Sequence, residues 1–78
     1  MSLEKYEICF AETLGVRREE LDSLSYQSIP SWDSVGHMQL MTVLEDAFSI
    51  QLEIDDIIDF SDFNKGKSIL QKYGVNFD

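Results

Sequence analysis

The clearest structural signal in the chain lies in residues 30–48, PSWDSVGHMQLMTVLEDAF. It opens with a proline, which removes a helical hydrogen bond and therefore stops any helix from running into the stretch. Asp33 follows, and an aspartate at this place caps a helix by accepting from backbone N–H groups of the first turn. Apolar residues then recur at the spacing of a helix that covers a core. The stretch predicts an amphipathic helix from about Ser34 to Phe48.

The two faces of this helix predict different roles. When residues are placed about 100° apart, one arc is apolar and is expected to face the core: Leu40, Met41, Leu44, Ala47 and Phe48. The opposite arc carries Gln39, Thr42, Glu45 and Asp46. Val35 and Met38 fall at the edge of the polar arc, which predicts two partly exposed apolar side chains beside acidic ones, as in a docking surface. The alternative, that the preceding loop covers both, stays open.

The part of the chain before this helix predicts a first helix and a long connection. Residues 3–14 carry one apolar stripe, and Gly15 follows as a residue suited to the left-handed conformation that closes a helix. Residues 16–33 show no periodicity but hold scattered apolar side chains. Because such a connection is long for a compact domain, we expect an ordered loop that is attached to the core.

The part after it predicts two more helices. A short one is expected at 55–59, with Ile54, Ile57 and Ile58 turned inward, and a last one at 64–73, ended by Gly74. The predicted fold class is all-α: a small four-helix bundle with one short helix and a long ordered loop between helices one and two.

Length and composition place limits on the protein. With 78 residues, of which 44% are hydrophobic, residues 1–78 are expected to form a single globular domain and a monomer. No apolar run approaches the roughly 20 residues of a membrane span, and no signal peptide is apparent. The lone Cys9 gives neither a disulfide framework nor a zinc spacing, so we expect it in the core and the protein in the reducing cytoplasm.

The charge distribution indicates the kind of partner. The net charge is −9, which argues against nucleic acid or an anionic membrane. Residues 33–64 contain no lysine or arginine but eight acids: Asp33, Glu45, Asp46, Glu53, Asp55, Asp56, Asp59 and Asp62. A surface of this kind suits partners with basic faces, although charge runs often serve solvation alone.

The polar residues of this part of the chain suggest three kinds of chemistry: hydrolysis, metal binding and attachment of a phosphoester. Ser34 and His37 lie three residues apart on one predicted helix, but a hydrolase also needs an orienting acid, oxyanion donors and a pocket, so we predict no enzyme and no catalytic residues. The acidic run 55–62 lacks the spacing of a calcium loop, so no dedicated metal site is predicted. A serine in the first turn of a helix, where the helix dipole favours phosphate, is suited to carry a phosphoester.

These residues resemble the acyl carrier proteins. The similarity rests on Asp33-Ser34-Val35 followed by GHMQLMTVLEDAFSIQLEIDDI, and it extends over nearly the whole chain, from a first helix ending in LGV to the acidic short helix. The Asp-Ser pair alone means little, but its combination with the LE-x-x-F-x-I spacing, the size and the acidity is specific.

The resemblance implies a cofactor, a role for each site residue and a set of partners. Ser34 would carry 4′-phosphopantetheine, attached from coenzyme A by a phosphopantetheinyl transferase, and the thiol of this arm would hold an acyl group as a thioester. Asp33 would be the neighbouring recognition residue. Enzymes that load and accept the acyl group would dock through basic surfaces on the second helix, at Val35, Met38, Gln39, Thr42, Glu45 and Asp46.

The departures from the family pattern narrow the type of carrier. Gly36 and Gln39 stand where carriers of fatty-acid synthesis have acids, and Val35 replaces the usual leucine. The WDS-x-x-H form is more similar to specialised, free-standing carriers of secondary metabolism or cell-surface polysaccharide pathways. Two alternatives remain: an aminoacyl or peptidyl carrier, and an unmodified carrier-like module that binds a basic enzyme surface.

Overall fold

The computed structural model describes residues 2–77, which contain four α-helices, one 3₁₀ helix and no strand. The α-helices are α1 (Ser2–Leu14), α2 (Ser34–Phe48), α3 (Ile54–Asp59) and α4 (Phe63–Gln71). Both ends of α2 were predicted correctly, and the ends of the other helices lie within two residues of the prediction. The 3₁₀ helix, Arg18–Ser23, lies within the connection that was predicted to be an ordered loop. Within this range, no helix has the length and apolar character needed to cross a membrane.

Local signals in the sequence account for where the helices begin and end. Asp33 caps α2, because its Oδ1 atom accepts from the backbone N–H of Gly36 at 2.8 Å. Asp62 caps α4 in the same way, accepting from Lys65 at 2.6 Å. Gly15 follows α1 with a φ of 69°, the left-handed conformation that was predicted for it.

An aromatic cluster forms the centre of the core. Tyr6 and Phe10 of α1 lie against Phe63 of α4, with ring centroids 4.9 and 5.0 Å apart. The Tyr6 hydroxyl donates to the carbonyl oxygen of Phe63 at 2.7 Å, and burial raises the pKa of this phenol. The other buried apolar side chains are Cys9, Leu14, Leu21, Leu24, Trp32, Leu40, Met41, Leu44, Leu52, Phe60, Ile69 and Leu70.

The long connection between α1 and α2 is attached to this core, as predicted. Leu21, Leu24 and Trp32 are buried, and the Trp32 ring meets the edge of Phe10 at a centroid distance of 5.5 Å. The Ser31 hydroxyl donates to the last carbonyl of α1, that of Leu14, at 2.7 Å. The connection therefore reaches α2 with a fixed position.

Helix α3 is rotated relative to the prediction. Ile54 and Ile58, which were predicted to turn inward, are 74% and 72% exposed, and Ile57 is only half-buried. Asp56 is turned inward instead: it is buried, and its carboxylate accepts hydrogen bonds from Lys72 and Tyr73 at the end of α4. Because Ile54 and Ile58 lie four residues apart, they share one helix face, and this face points to solvent.

Candidate functional site

Ser34 is the first residue of α2 and is exposed to solvent. Its hydroxyl forms no hydrogen bond within residues 2–77, and neither do the backbone N–H groups of Ser34 and Val35. Asp33 lies immediately before it, and its carboxylate accepts the capping hydrogen bond from the backbone N–H of Gly36. Ser34 therefore presents an accessible oxygen beside two available N–H donors at the positive end of a helix.

Gly36 brings the preceding loop against the first turn of α2. It is buried, and a Cβ atom at this position would collide with the carbonyl oxygen of Ser31. No residue with a side chain fits there without movement of the backbone. This contact accounts for the glycine at position 36, since the preceding loop occupies the space that a side chain would need.

His37 joins three parts of the chain through its ring. Its Nδ1 atom accepts from the indole N–H of Trp32 at 2.9 Å, and its Nε2 atom lies 2.8 Å from the carbonyl oxygen of Ile57. Because an indole N–H can only donate, Nδ1 must accept, and the ring proton lies on Nε2. Both ring nitrogens are engaged away from Ser34, so His37 has none left to activate that hydroxyl.

A pocket of about 330 Å³ opens beside Ser34. From α2 it is lined by Ser34, His37 and Met38, and from α3 by Ile57 and Ile58. The connecting segments contribute Tyr26, Phe60 and Ser61, which sequence reasoning did not identify. Tyr26 and Ser61 are brought together by a hydrogen bond of 2.8 Å from the Tyr26 N–H to the Ser61 carbonyl, between segments distant in sequence. No local pattern could have indicated this pairing.

The predicted docking residues of α2 are mostly accessible. Val35 is 65% and Met38 52% exposed, so the loop does not cover them, and their predicted exposure is confirmed. Gln39, Thr42 and Asp46 are also exposed. Glu45 differs, because it is half-buried and its Oε2 atom accepts from the N–H of Leu52 at 2.8 Å. Glu45 thus supports the turn after α2.

Helix α3 extends this accessible surface. Ile58 lines the same pocket as Met38, so the exposed face of α3 continues the apolar residues of α2 across the pocket. Asp55 and Asp59, both exposed, lie beside it. We call Val35, Met38, Ile54 and Ile58 the apolar surface. Sequence reasoning missed its α3 half because the rotation of that helix depends on distant residues.

A polar cluster fixes α3 to the end of α4. Asp56 accepts from the Lys72 ammonium at 2.6 Å and from the Tyr73 hydroxyl at 2.5 Å. Tyr73 in turn accepts from the N–H of Glu53 at 2.9 Å. The hydrogen bonds from Lys72 and Tyr73 hold the pKa of the Asp56 carboxyl below its usual value. The orientation of α3, and with it the outer wall of the pocket, depends on this cluster.

The remaining acids of the block do not gather into a further site. Within residues 2–77, no group of three or more histidine, cysteine or acidic side chains is arranged to hold a metal ion. Comparison of the chain with protein-family models, with curated proteins and with solved structures gives no match. Function is therefore inferred from the geometry around Ser34 and from the motif that contains it.

Proposed function

We propose that this protein is an acyl carrier protein, with Ser34 as the attachment site of 4′-phosphopantetheine. The observation that carries the proposal is the exposed, unengaged Ser34 hydroxyl, which opens α2 at the edge of an apolar pocket. The order of the helices adds support. A long anchored connection precedes α2 and a short acidic helix follows it, as in the four-helix arrangement that the Asp-Ser motif implies.

The residues around Ser34 suit a phosphoester. The free N–H groups of Ser34 and Val35 and the positive end of α2 favour the phosphate. The backbone N–H of Gly36 holds the carboxylate of Asp33 in place, and the transferase recognises this carboxylate beside the serine. When bound, the arm supplies a thiol that holds an acyl group as a thioester. The fold keeps the Ser34 hydroxyl accessible, and the hydrogen bonds of His37 to Trp32 and Ile57 leave its ring unable to activate that hydroxyl.

The partners follow from the surface beside the attachment site. The apolar surface has the exposed acids Asp55 and Asp59 beside it on α3, and it lies in a segment, 33–64, without lysine or arginine. A partner that complements it has an apolar centre and a ring of basic residues, because opposite charges speed encounter and apolar contacts stabilise the complex. We propose such faces on the transferase and on the enzymes that load and accept the acyl group.

The test is the intact mass of the protein after incubation with coenzyme A and a phosphopantetheinyl transferase. We expect one phosphopantetheine on the wild type and none on Ser34→Ala. Because Ser34 is exposed and its hydroxyl has no partner within residues 2–77, Ser34→Ala should fold with a free energy of unfolding within about 0.5 kcal/mol of the wild type. An unmodified wild type, beside a known carrier that is modified in the same tube, would refute the proposal.

A second candidate, an unmodified interaction module, is favoured by a separate observation. The apolar surface and the exposed acids of α3 are present without any group on Ser34. Such a module would bind its enzyme equally well as Ser34→Ala but would lose binding as Met38→Asp, which places a charge in the apolar surface. A partner that contacts the phosphopantetheine arm would instead bind both Ser34→Ala and Met38→Asp more weakly than the wild type. Isothermal titration calorimetry measures these affinities.

A further inference from the structure

We infer that the pocket beside Ser34 holds the part of the phosphopantetheine arm nearest to the serine, and that the acyl cargo consequently stays in solvent. The inference rests on the proposed function. It concerns a different question, namely which part of the attached group the protein covers. Position is the first argument: Ser34 itself lines the pocket, so a group joined to its oxygen begins at the pocket mouth.

The chemistry of the pocket matches an amphipathic group. Its apolar wall is formed by Met38, Ile57, Ile58 and Phe60. Tyr26 and Ser61 also line it, and their hydroxyls form no hydrogen bond with any other described residue. Next to its phosphate, the arm has a carbon bearing two methyl groups, followed by a hydroxyl and an amide. The methyl groups suit the wall and the polar atoms suit the two hydroxyls, whereas a plain alkyl chain would leave those hydroxyls unused.

The size of the pocket limits what it holds. At about 330 Å³ it lies at the lower end of the range for small-molecule sites, about 300–1,000 Å³. One compact group fills such a space. The cargo is joined to the far end of the arm, so a long acyl chain could enter only by displacing the near part of the arm.

Three of the residues that line the pocket, His37, Ile57 and Phe60, are held in place by contacts with one another. The hydrogen bond from His37 Nε2 to the Ile57 carbonyl joins α2 to α3 there, and the Phe60 ring lies 6.1 Å from the His37 ring. The Trp32 ring stacks on the His37 ring, and both Trp32 and Phe60 are at most 1% exposed, so the pocket borders the packed core at these residues. An acyl chain would have to separate these side chains to pass further inward, and a close-packed core opposes that.

The test measures melting temperature by circular dichroism for the apo protein, the holo protein and forms loaded with butyryl, hexanoyl and octanoyl groups. We expect conversion from apo to holo to raise the melting temperature by about 5 °C, the order of shift given by covering one aliphatic group in a domain of this size. Lengthening the acyl chain should then add nothing. A rise with each added pair of methylenes, or no rise from apo to holo, would overturn the inference.

Contacts and a matched variant locate the arm directly. In holo protein carrying an isotope-labelled arm, nuclear Overhauser effects should join the arm's methyl groups to Ile57 and Ile58; their absence would overturn the inference. The double variant Tyr26→Phe, Ser61→Ala should lose about half of the holo stabilisation, whereas Ser68→Ala, an exposed serine on α4 outside the pocket, should retain all of it. An equal loss in both variants would also contradict the assignment.

Failure of the inference and failure of the proposed function are distinguishable. If mass spectrometry shows no phosphopantetheine on the wild type, the proposed function is wrong and the inference is overturned with it. If the arm is attached but the melting temperature follows the acyl chain length, the protein is a carrier that covers its cargo, and only the inference is wrong.

Discussion

Replacing Gly36 with alanine sets two opposing effects against each other. Alanine is the better helix former, and in an exposed helix interior the change from glycine stabilises by about 1 kcal/mol. At Gly36, however, the new Cβ atom would collide with the carbonyl oxygen of Ser31. A backbone oxygen has no side-chain rotation by which to move away, so the 31–33 segment itself must shift.

The structure indicates which effect is larger. Overpacking of a closed site costs about 1–3 kcal/mol. The segment that must move includes Trp32, which is fully buried, and Asp33, whose cap on α2 is worth about 1 kcal/mol. The gain in helix propensity and the loss of the cap nearly cancel, so Gly36→Ala should lower the free energy of unfolding by about 1–3 kcal/mol. For a domain of this size the melting temperature falls by about 5–20 °C.

Urea unfolding followed by far-ultraviolet circular dichroism measures this change. The matched control is Gln39→Ala, an exposed position on the same helix, which should change the free energy of unfolding by no more than about 0.5 kcal/mol. The loop and Ser34 are coupled through the cap, so Gly36→Ala should also slow modification by the transferase. A variant as stable as the wild type would show that the loop does not press on α2 as described.

Three further predictions concern other parts of the molecule. Asp56→Asn should remove a pH-dependent part of the free energy of unfolding, because the pKa of Asp56 is lower in the folded protein than in the unfolded chain. The stabilisation from Asp56 is present above the usual carboxyl pKa of about 4, and it is lost as the pH falls through the lower folded pKa. Acid titrations of melting temperature should therefore differ between wild type and variant at neutral pH and converge at low pH; parallel curves would contradict this. Tyr6→Phe loses the buried hydrogen bond to Phe63 and should cost about 1 kcal/mol in urea unfolding, and an unchanged midpoint would count against that bond. Millimolar Mg²⁺ should raise the melting temperature because it screens repulsion within the acidic block, and equal values in metal-free and Mg²⁺ buffers would refute this.

Features that depend on neighbouring residues were predictable from the sequence. Asp33 followed by an apolar stripe fixed both ends of α2, since a cap and a helical period act within a few residues of the chain. Gly15 closes α1 as its type suggests. The helical wheel of α2 placed Val35 and Met38 at the edge of the polar arc, and the structure excluded the alternative that the preceding loop covers them. The role of Ser34 stays a prediction that the motif and the geometry support.

Features that depend on residues distant in sequence were decided by the tertiary structure. Ile54 and Ile58 face solvent because Asp56 binds Lys72, sixteen residues further along the chain. Glu45 supports the turn after α2 because Leu52 N–H comes within its reach. Tyr26 and Ser61, which pair across the fold, contribute to the lining of the pocket next to Ser34. Interactions local in the chain made the four α-helices and the place of Ser34 at the start of α2 predictable. Only packing between segments decided what surrounds that serine, because those contacts form between residues that no short-range pattern relates.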